Sequence, residues 1–396
     1  MISKLRGYAP KIPYYLFYLG LTIEMIVVLM ERTALPPIPE GQIYRVTFAL
    51  FALKVCFTKY TKKEWLLLII FSVFTFIMYR VTGQNVAFRA VFFVAAMRGI
   101  DIKTALKYTF WLTLSGFLLI IALSFMGIGR ELKSVEVYRE VLETRYHFGI
   151  GHPNTFYCIV LTLLLLFLYC YQEKLKLSIL TGLFAVNIGL FLFTDSRTGF
   201  AVCTLTIMLA ILFTILPKLK RANWIYYVGI AIFLVCIGFS IWAASNATTR
   251  TDTEYYWKPG SQILKIDKIL TGRINEIHWE RPSASGRIEE WTLFASNADY
   301  SRVFDMGWVR MFYWFGIIPG IVFIALYLVL INECRREKDY IALLLITIVA
   351  IYTVVEPQFI SLYLGRNFLL FIFGVYWGQM LKISDGDDNY WWRIGG

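Results

Sequence analysis

The chain has 396 residues, of which 58% are hydrophobic and 17% charged, with a formal net charge of +12. Its mean hydropathy of +0.61 lies far above that of a water-soluble domain, whose apolar usage is about 45–50%. The apolar residues come in runs of about 15–23 separated by charged knots, as in a chain dissolved in lipid, and a soluble enzyme is excluded.

Each run reads as a helix, because a bilayer admits only helices and closed barrels and these runs are continuous rather than alternating. Twelve crossings are expected, at 12–30, 43–58, 64–79, 84–98, 107–127, 155–171, 177–194, 199–217, 223–243, 309–331, 340–356 and 363–380. The second and fourth are the weakest, since Arg45 and Arg89 interrupt them, and ten crossings would close the same alternation. With a cytoplasmic N-terminus, one face gathers Lys4, Arg6, Lys62, Lys63, Lys174, Lys220, Arg335 and Arg336 and nearly all of the net charge, while the other is balanced. That is the positive-inside bias. It places both termini in the cytoplasm and explains the basic balance without nucleic acid. None of the six cysteines falls in an outer loop, so disulfides there are excluded. The first run lacks a small-residue cleavage site and is expected to be a retained helix.

The expected fold is therefore all-α, a polytopic membrane protein of about 12 transmembrane helices with a partly helical extracytoplasmic cap. Residues 1–243 form an N-terminal bundle of about nine crossings with an outer loop at 128–154. Residues 244–308 form the cap, 309–380 the last three crossings, and 381–396 a cytoplasmic tail. In the first outer loop Val135, Tyr138, Val141 and Leu142 have helical spacing, which predicts a short helix on the membrane surface. The cap is rich in aromatic residues and too long for a plain connection, so it is expected to fold.

Polar residues in or just above the crossings carry most of the chemistry. On the outer side these are Arg80, the GHPN of 151–154, the DSRTG of 195–199, the TGR of 271–273, His278, Asp305, Glu356 and Arg366. In DSRTG, helix capping by Asp195, Ser196 and Thr198 and close approach at Gly199 explain every residue but Arg197. That arginine is either paired with Asp195 or a fork for phosphate oxygens. In GHPN, Asn154 is expected to cap a helix from Thr155, which leaves His152 over for a proton or a phosphate. Arg273 follows a Thr-Gly turn, where an anion contact is expected, whereas Arg281 and Arg287 read as solvated. Asp305 precedes the tenth crossing. Glu356 ends the eleventh, where a carboxylate opposes the helix dipole and needs a partner; Arg366, ten residues on, is the nearest in sequence. His147, His152 and His278 are too scattered for a metal site. No metal or other cofactor is expected, the alternative being convergence of Asp195, Asp305 and Glu356 on an ion.

GHPN before a crossing, SRTG after an apolar one, LTGR in the large loop, an Asp knot before the next crossing and EPQF…RN near the end stand in one order on one side. In layout and in these motifs the chain resembles bacterial polysaccharide polymerases of the Wzy type, within the group that includes the O-antigen ligases. The resemblance implies an inverting glycosyltransferase without a nucleotide sugar, in a bacterial plasma membrane. It would join undecaprenyl-pyrophosphate-linked repeat units into capsular, exo- or O-antigen polysaccharide, alongside flippase and chain-length regulator proteins. It further implies that Arg197 and Arg273 hold pyrophosphate, with His278 and Asp305 as catalytic candidates, to which the position of Glu356 adds a third. Arg80, His152, Asn154, Asp195 and Arg366 are then the substrate-binding candidates. A glycan ligase and a lipid-linked oligosaccharide flippase are the alternatives.

Overall fold

A computed structural model describes residues 12–34, 39–138, 141–247, 260–278, 285–296, 298–300, 304–360, 364 and 367–380. Its helices are α1 (Ile12–Met30), α2 (Glu40–Cys56), α3 (Lys62–Thr82), α4 (Val86–Ala96), α5 (Ile102–Phe125), α6 (Pro153–Cys170), α7 (Leu177–Thr194), α8 (Arg197–Ile215), α9 (Trp224–Asn246), α10 (Gln262–Ile269), α11 (Gly307–Phe315), α12 (Ile317–Glu337), α13 (Tyr340–Thr353) and α14 (Leu369–Met380). Eight of them, α1, α3, α5 to α9 and α12, are long and apolar enough to cross a membrane. The protein is thus a largely helical, multi-pass membrane protein.

Four expected crossings are shorter than that. Helix α2 has 17 residues, α4 has 11, α13 has 14 and α14 has 12. The two that contain Arg45 and Arg89 are among them. The expected tenth crossing is broken into α11 and α12 at Gly316, whose φ of 97° and ψ of 169° suit only glycine. The amides of Ile317 and Ile318 donate to the carbonyls of Thr292 and Leu293, at 3.0 and 3.1 Å. Residues 292 and 293 therefore fill the break.

The surface helix expected in 128–154 is overturned. This stretch forms an antiparallel hairpin of β1 (Lys133–Tyr138) and β2 (Val141–Tyr146), with Val135 opposite Thr144 and Val137 opposite Leu142. Val135 and Val137, paired with Thr144 and Leu142, recur with the period of two of a strand, whereas Tyr138 and Val141 of the expected helix face pair at the alternate register position, and the β-branched Val135, Val137, Val141 and Thr144 favour the strand. The all-α expectation holds apart from this hairpin among the described residues.

The chain divides into two compact units, one of Met1–Leu68, Phe92–Arg221 and Tyr363–Gly396, the other of Ile69–Val91 and Ala222–Leu362. In the first, α1 packs on α2 and α5, and α6 packs on α5 and α8. A Cβ at Gly199 would lie 2.4 Å from Cβ and Cγ of Tyr157, so glycine there lets α8 lie directly on α6, as the sequence leads one to expect. In the second unit α9 packs on α11, α12 and α13. There Phe233 lies between Trp308 and Tyr327, and the Trp308 indole donates to the Ala350 carbonyl at 3.0 Å.

Candidate functional site

In the second unit, α10 starts at a Ser261 cap and ends at Ile269. Thr271 and Gly272 follow with φ of 60° and 85°, and this left-handed return delivers Arg273. Beneath it lies an apolar floor of Ala243, Ala244, Leu264, Ile274, Met306 and Val309. Glu356 stands just past α13, its amide donating to the Tyr352 carbonyl at 2.9 Å. The strand of chain before α11 is pressed against the same place, since a Cβ at Gly307 would lie 2.7 Å from Thr353 Cγ2 and 3.1 Å from Pro357 Cα. Asp305, Arg273 and Glu356 meet there.

Arg273 is only 5% exposed. Its Nε donates to the Val355 carbonyl at 2.7 Å and its Nη2 to Glu356 Oε1 at 2.9 Å. Its Nη1 donates to the Leu270 carbonyl at 3.0 Å and to the Thr271 hydroxyl. A guanidinium has five N–H groups, so little of this one is left for another anion. Burial alone would lower its pKa, but Glu356 and Asp305 outweigh that and hold it above the ordinary arginine value. Asp305 Oδ2 is 3.8 Å from Nε, with 41% of its side chain exposed. One positive and two negative groups thus share the cluster, with one carboxylate sealed and the other open.

This placement revises the sequence reading in one respect and completes it in another. Arg273 was expected to face an anion from a surface turn, but it is buried among carboxylates. Glu356 has a partner of the kind its position demands in Arg273; Arg366, the partner expected from the sequence, lies outside the described residues. His278 belongs to a different contact. Its Nδ1 is 2.7 Å from the Ser285 hydroxyl, and burial, reinforced by Arg287, holds its pKa below the usual histidine value. Arg287 is itself paired with Glu289 at 2.9 Å, in keeping with a solvated role. Arg80 is exposed on the last turn of α3. Trp279 and Arg281, and the tail 381–396, lie outside the described residues.

The first unit carries the other candidates. His152, not Asn154, caps α6: its Nδ1 accepts from the Asn154 amide at 3.2 Å. Pro153 occupies the first helical position and has no N–H, so the first free donor is two residues beyond His152. Asn154 instead reaches across to the next hairpin of helices, where its Oδ1 accepts from the Ser196 hydroxyl at 2.8 Å. Asp195 ends α7 in a left-handed conformation, φ 45°. Its side chain is 3.6 Å from Arg197 Nε, and the Arg197 side chain is 56% exposed. Both readings of Arg197 therefore survive, a loose pair with Asp195 and an accessible fork.

Two arginines escaped the sequence reading. Arg145 in β2 donates to the carbonyls of Thr194 and Asp195, at 3.2 and 2.9 Å, and so closes the C-terminus of α7. Arg130 donates to the carbonyls of Thr33 and Glu31, at 3.1 and 3.2 Å, just past α1. Both complement a helix C-terminal dipole, and no local pattern marks them, because their partners are far away in sequence. No group of three or more His, Cys, Asp or Glu side chains among the described residues is arranged to hold a metal ion. No family model, curated protein or solved structure matches this chain.

Proposed function

We propose that the protein is a polysaccharide polymerase acting on the outer face of a bacterial plasma membrane, joining undecaprenyl-pyrophosphate-linked repeat units by inverting glycosyl transfer. The observation that carries this reading is the cluster of Arg273, Glu356 and Asp305, in which a buried arginine holds one carboxylate fixed and a second one open to a substrate. Inverting transfer to a hydroxyl needs such a base. Asp305 takes the proton of the acceptor hydroxyl as its oxygen attacks the anomeric carbon, and the bond to the lipid pyrophosphate breaks. A positioned base contributes roughly 10²–10⁴-fold. Arg273 orients the carboxylates in this reading and does not hold the leaving group.

Charge that develops on the departing pyrophosphate needs donors aimed at it beforehand. Arg197, in the first unit, has an accessible guanidinium whose fork matches phosphate oxygens. The order of the motifs and the layout of crossings support the polymerase reading further.

The test supplies the purified protein with a lipid-linked repeat unit and follows product length on a gel, without nucleotide sugar or ATP. A ladder of lengthened glycan is expected. A product that changes leaflet but not length would replace the reading with a flippase, and a single transfer to a different acceptor would replace it with a ligase. Cysteine labelling tests the orientation: Lys62, Lys174 and Lys220 positions should react from the cytoplasm and the Asp195 position from outside.

A further inference from the structure

Asp267 is fully buried on the last turn of α10, where a negative charge opposes the helix dipole. A buried carboxylate is costly unless hydrogen bonds hold it. Here Oδ1 accepts from the amides of Ile274 and Asn275, at 2.8 and 3.2 Å. The carbonyl of the same residue accepts from the Gly272 amide at 2.9 Å. One residue thus closes the return on both sides of Arg273, through its main chain before it and its side chain after it.

The return needs that hold. Thr271 sits at φ 60° without being glycine, a conformation that is strained for a side-chain-bearing residue. Released, the segment would relax away from it, and the Arg273 side chain could no longer reach the Val355 carbonyl and Glu356, which lie 82 and 83 positions along the chain. We propose that Asp267 is a positioning residue: its carboxylate fixes the backbone that carries Arg273, and Arg273 in turn fixes Glu356 and Asp305. The link from this chain of contacts to glycosyl transfer rests on the function proposed above; the chain of contacts does not.

The test reads Glu356 directly. The full-length protein in detergent is treated with a water-soluble carbodiimide and an amine, and the labelling rate at each carboxyl is followed by mass spectrometry. In Asp267→Ala, Glu356 should label about tenfold faster, as expected where a local opening becomes easier. Glu333, buried and paired with Arg336 at 2.7 Å elsewhere in the same unit, should keep its rate. Asp267→Asn retains the Oδ1 acceptor and should restore most of the protection. Should Asp267→Ala not accumulate, Asp267→Glu, which moves the carboxylate by one carbon, is read in the same way. Unchanged Glu356 labelling in a folded variant would overturn the proposal, and so would equal acceleration at Glu356 and Glu333, which would mean general loosening. Polymerisation kinetics form the separate arm. A fall in kcat with unchanged KM for the lipid-linked substrate, rescued by Asp267→Asn, is expected. If the wild-type protein makes no polymer while Glu356 is still deprotected in Asp267→Ala, the positioning role stands and the proposed function falls.

Discussion

Arg197 and Arg273 sit in turns that look alike in sequence, one in DSRTG and one in LTGR, with left-handed Asp195 two positions before the first and left-handed Thr271 and Gly272 directly before the second. Their surroundings are opposite. Arg197 is more than half exposed and has a single carboxylate at 3.6 Å. Arg273 is sealed, bonded to Glu356 at 2.9 Å and to the Val355 carbonyl, with Asp305 nearby. The first has N–H groups to offer a ligand, whereas the second has spent most of its own on the protein. An arginine in a turn is therefore a binding group or an organising group according to what the distant chain brings to it.

The sharpest way to break this contrast is to remove one partner of the sealed pair. Arg273→Ala or Glu356→Ala leaves a buried charge uncompensated and should cost about 3–5 kcal/mol, read as thermal unfolding in detergent. The double variant Arg273→Met with Glu356→Leu should recover most of that loss, and equal destabilisation of single and double variants would contradict the account. Asp305→Asn tests the open carboxylate. It should lower polymer formation roughly 10²–10⁴-fold while the melting temperature stays put.

The turn of Arg197 depends on backbone contact instead. Gly199→Ala pushes a methyl into Tyr157 and should destabilise by about 1–3 kcal/mol, whereas Arg197→Ala should change stability by only about 0–1 kcal/mol, as exposed pairs do. Polymer should nevertheless fall in Arg197→Ala, and also in Arg197→Lys, which keeps the charge but loses the fork. Full polymer from both would remove Arg197 from the chemistry. The smallest effect concerns His278. Its folded pKa lies below the unfolded value of about 6.5, so the unfolded chain binds the proton more readily. The stability it contributes is complete above that value and lost as pH falls through it towards the folded pKa. His278→Gln should flatten this slope in melting curves taken between pH 7 and pH 5.

Much of the helical framework was legible because its boundaries are local. Helices α1 and α7 begin and end where the sequence places them: the apolar run of α7 stops at Asp195, and Lys174 and Lys176 precede its start. The hairpin at 133–146 was not, because the helical spacing of Val135, Tyr138, Val141 and Leu142 masked the period of two of Val135 with Val137 and of Leu142 with Thr144. His152 was misread because a proline shifts which amide needs a cap. That Glu356 needed a partner was visible from the helix dipole, but its identity was not, since Arg273 is 83 residues away and its Thr-Gly turn marks it for an anion without saying which. Asp267 was hidden in the same way, as one more charge on a short amphipathic helix.

Gly316 has a consequence for how the membrane part is assembled. In hydrocarbon, exposed backbone amides cost several kcal/mol each, and the first two of α12 are satisfied by Thr292 and Leu293, which leave the ribosome before it. The acceptors are thus already synthesised when α12 reaches the bilayer, and the helix docks onto a waiting template instead of inserting as an independent rod. A side chain at 316 would strike Leu293 and Phe294 at 2.6 Å and evict that template. The stretch from Gly307 to Glu337 would then gain by fusing into one straight helix, so a single hydrogen in place of a methyl group selects between two ways of threading the chain.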